Sequence, residues 1–263
     1  MNPREIAMDR LAEWTDGSPV VRAEAAPHET QPALALRRGR AWAVAFVRPT
    51  HAHGTNLMLH GDDASGRVVG PDAVVLLEEL VASPAFGPWL ALARAKGARG
   101  ISLPRTAQGV GWLQAEEHGR WEFMSTSQPP PPPPDVGLQE LESGCRDELV
   151  AFLATHNART DGRPFARPGQ RWVGVRGSDG GLLGIGCCEP EESGAPVLTG
   201  ITVAAGARGL GLGRAITAEL TRGAVAEHGW STLGMYSDND VARGLYHSLG
   251  YTTHALWSSG RLA

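Results

Sequence analysis

A glycine loop that joins a strand to a helix constrains this chain more than any other feature. Three glycines alternate with other residues in Arg208-Gly209-Leu210-Gly211-Leu212-Gly213. The β-branched run Ile201–Val203 precedes the loop, and a helical pattern follows it. Glycine lets the backbone approach a ligand closely, and a helix N-terminus offers unpaired N–H groups and a partial positive charge. Because Arg208 adds a cation, the loop predicts a binding site for phosphate groups.

The loop does not match the two commonest nucleotide-binding patterns. A Walker loop ends in Gly-Lys-Ser/Thr, which is absent here. The dinucleotide pattern G-x-G-x-x-G fits at Gly209 and Gly211, but Arg214 occupies its third glycine position. The loop also lies too close to the C-terminus for the remaining strands of a doubly wound sheet. Taken alone, the loop therefore leaves two interpretations open, another phosphate ligand or a glycine-rich turn without a ligand.

A second motif, further along the chain, narrows the choice. Residues 239–251 match N-x-x-A-x-x-L-Y-x-x-x-G-Y, and residues 203–213 match V-x-x-x-x-R-G-x-G-x-G. As a pair, the two motifs resemble those of the GNAT superfamily of acyl-CoA N-acyltransferases. The resemblance covers roughly residues 136–263, and the stretch Leu233–Tyr251 is also similar to the subgroup related to glycine N-acyltransferases.

The resemblance implies a role for each matching residue. Val203 and Ala205 would offer backbone groups to the pantetheine arm of acetyl-CoA or another short acyl-CoA. Asn239 would contact the co-substrate or hold the end of a diverging strand. Tyr246 would protonate the leaving thiolate, since a phenol with a pKa of about 10 stays protonated at neutral pH. The residues expected to cradle the pyrophosphate are Arg208, Gly209, Gly211 and Gly213.

The acceptor half of the site is less defined. The resemblance implies transfer to a primary amine of a small molecule or a peptide, and an ammonium must lose a proton before it can attack a thioester. Many GNAT members carry a glutamate near the strand before the glycine loop, but residues 197–203 contain no carboxylate. The nearest candidates for the base are Glu189, Glu191 and Glu192, with His156 a weaker one. A relayed water, or an amine that binds already neutral, would need no such residue.

Hydrophobic patterning predicts a mixed order of strands and helices over residues 136–263, with an antiparallel meander ahead of a strand–loop–helix–strand unit. The resemblance implies the GNAT fold, a mixed α/β domain with a largely antiparallel sheet flanked by helices. Leu212, Ile216, Leu220 and Ala224 recur every four residues, which is typical of a helix face that packs on a core. Predicted strands cover residues 136–142, 171–176, 182–188, 196–203, 232–237 and 251–257. Predicted helices cover residues 145–156, 211–228 and 241–249.

The first half lacks a second R-x-x-G-x-G loop but has a comparable order of elements. Predicted helices cover residues 3–16, 71–82 and 88–96, and predicted strands cover residues 33–36, 42–47, 101–103 and 120–126. Six consecutive prolines at 129–134 predict a stiff polyproline II spacer. We therefore expect residues 1–128 to form a degenerate GNAT-like half, or an unrelated α/β cap. Residues 129–135 are expected to be a linker and residues 136–263 the catalytic domain, in a tandem arrangement.

Composition excludes several other classes of function. The net charge of −4 argues against a nucleic-acid partner, and no apolar run is long enough to span a bilayer. The N-terminus lacks the apolar core of a signal peptide, so we expect a cytoplasmic protein without a membrane partner. Three cysteines without CxxC spacing predict reduced thiols and no zinc site. His51 and His53 form a metal-like pair, but no second pair supports them, so we expect no metal.

Two other functional hypotheses remain open. The missing strand carboxylate would suit a catalytically silent module that binds or senses acyl-CoA. A nucleotide-binding protein is the third alternative.

Overall fold

A continuous mixed sheet runs through both halves of the chain in the computed structural model, which describes residues 2–50 and 53–263. In this part of the chain the strand order is β1-β2-β3-β4-β5-β12-β6-β11-β10-β9-β8-β7. The β4–β5 and β10–β11 pairs are parallel and the other neighbours are antiparallel. The strands are Arg4–Ile6 (β1), Ala33–Arg38 (β2), Ala41–Thr50 (β3), Gly54–Asp62 (β4), Gly100–Pro104 (β5), Gln114–Thr126 (β6), Leu138–Leu141 (β7), Arg171–Arg176 (β8), Leu182–Pro190 (β9), Pro196–Val203 (β10), Ser231–Tyr236 (β11) and Thr252–Leu262 (β12).

Helices cover both faces of this sheet. Those of the described residues are Met8–Trp14 (α1), Pro19–Glu24 (α2), Pro71–Ala82 (α3), Phe86–Ala95 (α4), Arg146–His156 (α5), Leu212–His228 (α6) and Asp240–Ser248 (α7). Three short 3₁₀ turns add residues 108–113, 143–145 and 205–207. α1, α2 and α5 pack on one face, which carries Phe123 and Cys187, whereas α3, α4 and α6 pack on the other. The predicted fold class, a mixed and largely antiparallel sheet flanked by helices, is confirmed.

Helix α6 lies close to the sheet because glycines face it. Its predicted apolar stripe is buried, with Ile216 and Leu220 fully covered. A Cβ atom placed on Gly186 would come within 2.6 Å of Ile216 Cγ2, and one placed on Gly184 within 3.0 Å of Ile216 Cδ1. Larger side chains at these two positions of β9 would push the helix away from the sheet. The small residues of β9 thus fix the position of α6 and of the glycine loop at its start.

Strands from the two halves alternate at the centre of the sheet. β12, the last strand of the chain, lies between β5 and β6 of the first half, and β6 lies between β12 and β11. The proline run is not in regular secondary structure, and the carbonyl of Pro130 accepts a hydrogen bond from Arg222 Nη1 of α6 at 2.9 Å. The division into residues 1–128, 129–135 and 136–263 stays a prediction about the origin of the two halves.

The first half differs most from the expected elements. The predicted helix 3–16 is wrong at its start, because residues 4–6 pair with residues 33–35 at the sheet edge and the helix begins only at Met8. Helix α2 and strand β4 were not predicted, β6 begins six residues before the predicted position 120, and β12 continues beyond residue 257. Both strands are longer than predicted because β6 and β12 pair with each other along most of their length.

The three cysteines are free thiols. Burial raises the pKa of the Cys188 thiol to about 12, and it also raises the pKa of Cys187. Among the described helices none alone has the length and apolar character to cross a bilayer, although α3 and α4 together, bent by 76° at the break between them, meet that test.

Candidate active site

The glycine loop forms an open, positively polarised start to α6. Gly209 and Gly211 have φ angles of +82° and +79°, in the left-handed region that favours glycine, and a Cβ at either position would meet nothing within 4 Å. Gly211 is the N-cap residue, no described side chain caps the helix, and the first turn carries no acidic residue. The first N–H groups of a 17-residue helix therefore remain free to bind an anion. Arg208 is exposed at the entrance and its Nε donates to the Val203 carbonyl at 3.4 Å.

Strands β10 and β11 begin as a parallel pair and then separate. Within the described chain their register covers Val197 opposite Thr232 and Leu198 opposite Leu233. From Thr199 onward the edge of β10 that faces β11 has no strand partner, whereas its other edge still pairs with β9 as far as Val203. Unpaired backbone groups on such an edge are suited to hydrogen-bond an extended ligand as an added strand would. This edge leads directly to Ala205 and the glycine loop.

Helix α7 places Tyr246 beneath this divergence. Asn239 is the N-cap residue, and its Oδ1 accepts a hydrogen bond from the backbone N–H of Ala242 at 3.1 Å. Tyr246 is buried in the same hydrophobic cluster as Leu198 of β10 and Met235 of β11. Burial raises the pKa of Tyr246 to about 12, so that its hydroxyl stays protonated at neutral pH. The neighbouring Tyr251 differs, because its hydroxyl is hydrogen-bonded to Thr221 and Ser231 at 2.8 and 2.7 Å.

A cavity of about 540 Å³ opens on the opposite side of the divergence, on the face that carries α1, α2 and α5. Its floor includes Thr199 of β10 and residues 234–236 of β11, where the two strands separate. Both halves of the chain line it, with Trp121 and Phe123 of β6 forming an aromatic wall. Polar residues on the lining include Glu24, Arg48, Asp161, Glu189 and Glu191. The cavity is large enough for a small acceptor molecule.

Carboxylates from different elements surround Arg48 at this cavity. Glu24 of α2 forms an ion pair with Arg48 Nε of β3, and Glu191 Oε1 lies 3.7 Å from Arg48 Nη2. Burial raises the pKa of Glu24 to about 7, with Arg48 acting to lower it and Glu191 to raise it. Attraction to Glu24, Glu191 and Asp161 raises the pKa of Arg48 against the effect of its own burial.

The candidate bases taken from the sequence have different environments. Glu189 is 3% exposed and is held by Arg167 and by the side-chain amide of Gln170. Glu191 faces the cavity beside Arg48, and Glu192 is more exposed and lies 3.7 Å from Arg167 Nη1. His156 packs its ring on Phe152, with centroids 4.7 Å apart, and is not among the described residues that line the cavity.

The first half places a carboxylate where the second half has its glycine loop. Helix α3 follows β4 as α6 follows β10, but Asp63 lies across its start. The Asp63 carboxylate accepts hydrogen bonds from the N–H groups of Ser65 and Asp72 at 3.0 and 3.1 Å, and these bonds hold the pKa of Asp63 below its usual value. A Cβ on Gly70 would collide with this carboxylate at 1.9 Å. The start of α3 therefore already carries an anion from its own chain.

The first half was expected to shape the acceptor pocket, but the sequence did not identify which of its residues would line the cavity. Glu24 lies in a short helix that the patterning missed, and Arg48 follows a buried run at the end of β3. One local signal was present, because Ser18-Pro19 is a good N-cap and first-turn pair for a helix over residues 19–24. No cluster of His, Cys, Asp and Glu suited to a metal occurs in residues 2–50 and 53–263. His51, one of the two histidines of the metal-like pair, lies outside the described residues.

Solved structures share this fold over the whole chain. An acetyltransferase of the GNAT family from Colwellia psychrerythraea superposes with a TM-score of 0.53 at 13% identity, covering 100% of this chain and 99% of that one. A GCN5-related N-acetyltransferase from Kribbella flavida gives 0.53 at 16% identity, covering 98% and 96%. A GCN5-related N-acetyltransferase-like protein from Streptococcus suis gives 0.51 at 11% identity, covering 97% and 98%. These likenesses define the fold class.

The sequence itself gives the family of the second half. Residues 137–251 match the family described as Acetyltransferase (GNAT) family, and they form a GNAT acetyltransferase domain. Members of this family use acyl-CoA as a co-substrate, which agrees with the free N-terminus of α6 and the open edge of β10. No curated protein matches the sequence.

Proposed function

We propose that this protein transfers a short acyl group, with acetyl as the simplest case, from acyl-CoA to a primary amine that binds in the cavity shared by the two halves. The proposal rests on one observation: the point where β10 separates from β11 lies between two complementary sites. On one side lies the glycine loop with free N–H donors, and on the other lies the 540 Å³ cavity. A thioester held along the open edge of β10 would meet an amine at that point.

This geometry supports a role for each proposed acyl-CoA residue. Arg208, Gly209, Gly211 and Gly213 would bind the pyrophosphate, because the loop combines a cation with unpaired N–H groups. Val203 and Ala205 would bind the pantetheine arm at the end of the open edge. Asn239 would act by capping α7, the helix that carries Tyr246.

In the proposed reaction the neutral amine attacks the thioester carbonyl directly. The C–N bond forms, the C–S bond breaks, and the CoA thiolate takes a proton from Tyr246. The buried phenol is suited to this role, since its raised pKa keeps the proton available at all pH values near neutrality. Reprotonation of Tyr246 uses a proton that the nitrogen loses when the amide forms.

The first half would shape the acceptor cavity without binding a second acyl-CoA. Its elements follow the same order as those of the second half, with a parallel β4–β5 pair in the position of β10–β11. Asp63 already satisfies the N–H groups at the start of α3, and its negative charge would repel a phosphate. This supports the hypothesis of a degenerate GNAT-like copy.

The test is release of free CoA from acetyl-CoA with a panel of primary amines, together with calorimetric titration of acetyl-CoA. We expect amine-dependent release and one acetyl-CoA bound per chain. Tight binding of acetyl-CoA without turnover for any amine would instead indicate a catalytically silent acyl-CoA-binding module. Binding of two molecules per chain would contradict the role of Asp63.

A further inference from the structure

The strand that enters the glycine loop contains no carboxylate, so a residue that removes a proton from an ammonium acceptor would come from elsewhere in the cavity. Among the described residues, four carboxylates lie on the lining of this cavity, those of Glu24, Asp161, Glu189 and Glu191. A general base needs a carboxylate that reaches the ammonium, and its two protonation states should both be accessible near neutral pH. These requirements separate the four residues.

Three of the four carboxylates are held by other side chains or lie at the edge of the cavity. The Glu189 carboxylate is engaged by Arg167 and by the side-chain amide of Gln170, which occupy its oxygen atoms. Asp161 is half exposed, and its Oδ1 is hydrogen-bonded to His53 Nε2 at 2.9 Å at the edge of the cavity. Glu191 faces Arg48 across 3.7 Å, and its chief effect is the charge that it places beside Glu24.

Glu24 has the environment that the others lack. Its side chain is 5% exposed and lines the cavity from the C-terminal end of α2. The groups that face it come from three other elements: Arg48 of β3, Glu191 of the loop after β9 and, through Arg48, Asp161 of the segment after α5. Arg22, on its own helix, stacks on Trp230 instead. Burial raises the pKa of Glu24 to about 7, against the lowering effect of the Arg48 guanidinium, and the nearby charge of Glu191 acts in the same direction as burial.

We propose that Glu24, from the half of the chain that carries no acyl-CoA loop, is the general base for an acceptor that arrives as an alkylammonium ion. This assignment rests on the proposed acyl transfer. The ammonium gives one proton to the Glu24 carboxylate, which later releases it to water, and the neutral amine then attacks the thioester. A second nitrogen proton leaves as the amide forms and restores Tyr246, which has protonated the thiolate. In total one thioester and one ammonium give one amide, one thiol and one proton.

The walls around Glu24 suit such an acceptor. Trp121 and Phe123 line the cavity from β6, and the Arg48 guanidinium lies 6.0 Å from the ring centroid of Trp121. Aromatic faces attract cations, and the carboxylates around Arg48 outnumber it. The aromatic rings and the carboxylates would therefore stabilise the positive charge of an alkylammonium group until its proton is removed.

The decisive experiment compares two classes of acceptor in wild type and Glu24→Gln. An alkylamine is protonated at neutral pH, whereas a weakly basic amine such as methoxyamine arrives neutral and needs no base before attack. We expect Glu24→Gln to lower kcat for the alkylamine on the order of 10²-fold, while the rate with methoxyamine changes little. In wild type, kcat/KM for methoxyamine and the alkylamine should differ in pH dependence, because only the alkylamine profile contains the Glu24 step with its break near pH 7. That break should be absent in the variant.

Three further variants separate catalysis from structure. Glu24→Asp keeps a carboxylate and should retain the pH break at reduced rate, which also tests the idea if Glu24→Gln does not fold. Glu191→Gln should move the break to lower pH, because Glu191 raises the pKa of Glu24. Glu13→Gln, at an exposed ion pair of α1, should behave as wild type. Thermal unfolding and acetyl-CoA affinity report whether each variant is folded.

Equal losses with both classes of amine in a folded Glu24→Gln protein, or a retained pH break, would overturn the role of Glu24 and leave the proposed acyl transfer intact. A wild-type protein that binds acetyl-CoA but acylates neither amine would overturn the proposed function, and the role of Glu24 with it.

Discussion

Arg243 and Glu122 form an ion pair that joins the helix bearing Tyr246 to a strand of the other half of the chain. Arg243 Nη2 lies 2.8 Å from Glu122 Oε1, and Arg243 Nε donates to the same oxygen at 3.1 Å. Glu122 belongs to β6 and is 4% exposed, and Arg243 lies one turn before Tyr246 on α7. The position of the proposed acid therefore depends on a residue of the first half.

This ion pair predicts a large effect on stability. Arg243→Met would leave the buried Glu122 carboxylate with Arg105, 3.9 Å away, as its remaining cation. We expect the free energy of unfolding to fall by about 3 kcal/mol, since a buried charge that loses its partner is strongly destabilising. Urea denaturation measures this change.

An exposed ion pair provides the control for that measurement. Asp238→Asn removes the partner of Arg159, and both side chains of that pair are more than half exposed. We expect the free energy of unfolding to change much less than in Arg243→Met, because solvent screens an exposed pair. Equal effects of the two substitutions would show that the Arg243–Glu122 pair contributes no more than a surface pair.

A second pair of variants tests whether the glycine loop binds acetyl-CoA. Gly211→Ala and Gly180→Ala place a methyl group at φ angles of +79° and +83°, with nothing within 4 Å of either position. Both should destabilise the fold by about 1 kcal/mol, because the left-handed region is unfavourable for alanine. Only Gly211 lies in the proposed pyrophosphate site, so only Gly211→Ala should raise the Kd for acetyl-CoA, by about tenfold or more. Equal Kd values in calorimetry would remove the loop from the binding site.

Substitutions of two neighbouring tyrosines distinguish the proposed acid, Tyr246, from a hydroxyl with a structural role, that of Tyr251. Tyr246→Phe should lower kcat on the order of 10²-fold and leave the affinity for acetyl-CoA unchanged. Tyr251→Phe removes the partner of Thr221 and Ser231, so it should lower the free energy of unfolding by about 1–3 kcal/mol and leave kcat unchanged. Steady-state kinetics with an amine from the active panel tests both. An unchanged kcat for Tyr246→Phe would exclude it as the acid.

The environment of His60 predicts that the folded protein is less stable at acidic pH. It is buried between the rings of Trp42 and Trp257, with centroids 5.3 and 5.5 Å away, and burial together with His254 lowers its pKa from 6.5 to about 3. Between these pH values the unfolded chain binds a proton that the folded chain does not, so stability falls as pH falls below 6.5. From pH 7.5 to pH 5 wild type should lose about 2 kcal/mol more than His60→Phe. Parallel losses in denaturation at the two pH values would contradict this prediction.

Local sequence was sufficient for the parts of the structure that local chemistry governs. The strand 196–203 and the apolar stripe of α6 were predicted from residues that are neighbours in the chain, and the structure has them. Backbone conformation at a glycine, helix capping and helical periodicity depend on a few adjacent residues. The GNAT domain could be recognised in the same way, because its two motifs are continuous segments.

Long-range pairing governs the parts that the sequence did not predict. Ile6 lies near helical spacing from Leu11 and Trp14, which favoured a helix, but residues 4–6 form a strand because they pair with residues 33–35. The insertion of β12 between β5 and β6 depends on contacts between segments more than 130 residues apart, as in the pairing of Trp257 with Trp121. No local pattern encodes such a partner.

The acyl-CoA half of the proposed site was predicted from local sequence, since residues 203–213 and 239–251 each form a continuous motif. The acceptor half could be described only from the folded chain. The fold brings Glu24 of α2, Arg48 of β3 and Glu191 of the loop after β9 to one cavity, through a sheet that interleaves strands from both halves. The role of Glu24 could not be predicted from the sequence, because its raised pKa depends on burial and on the charges of residues that are distant in the chain.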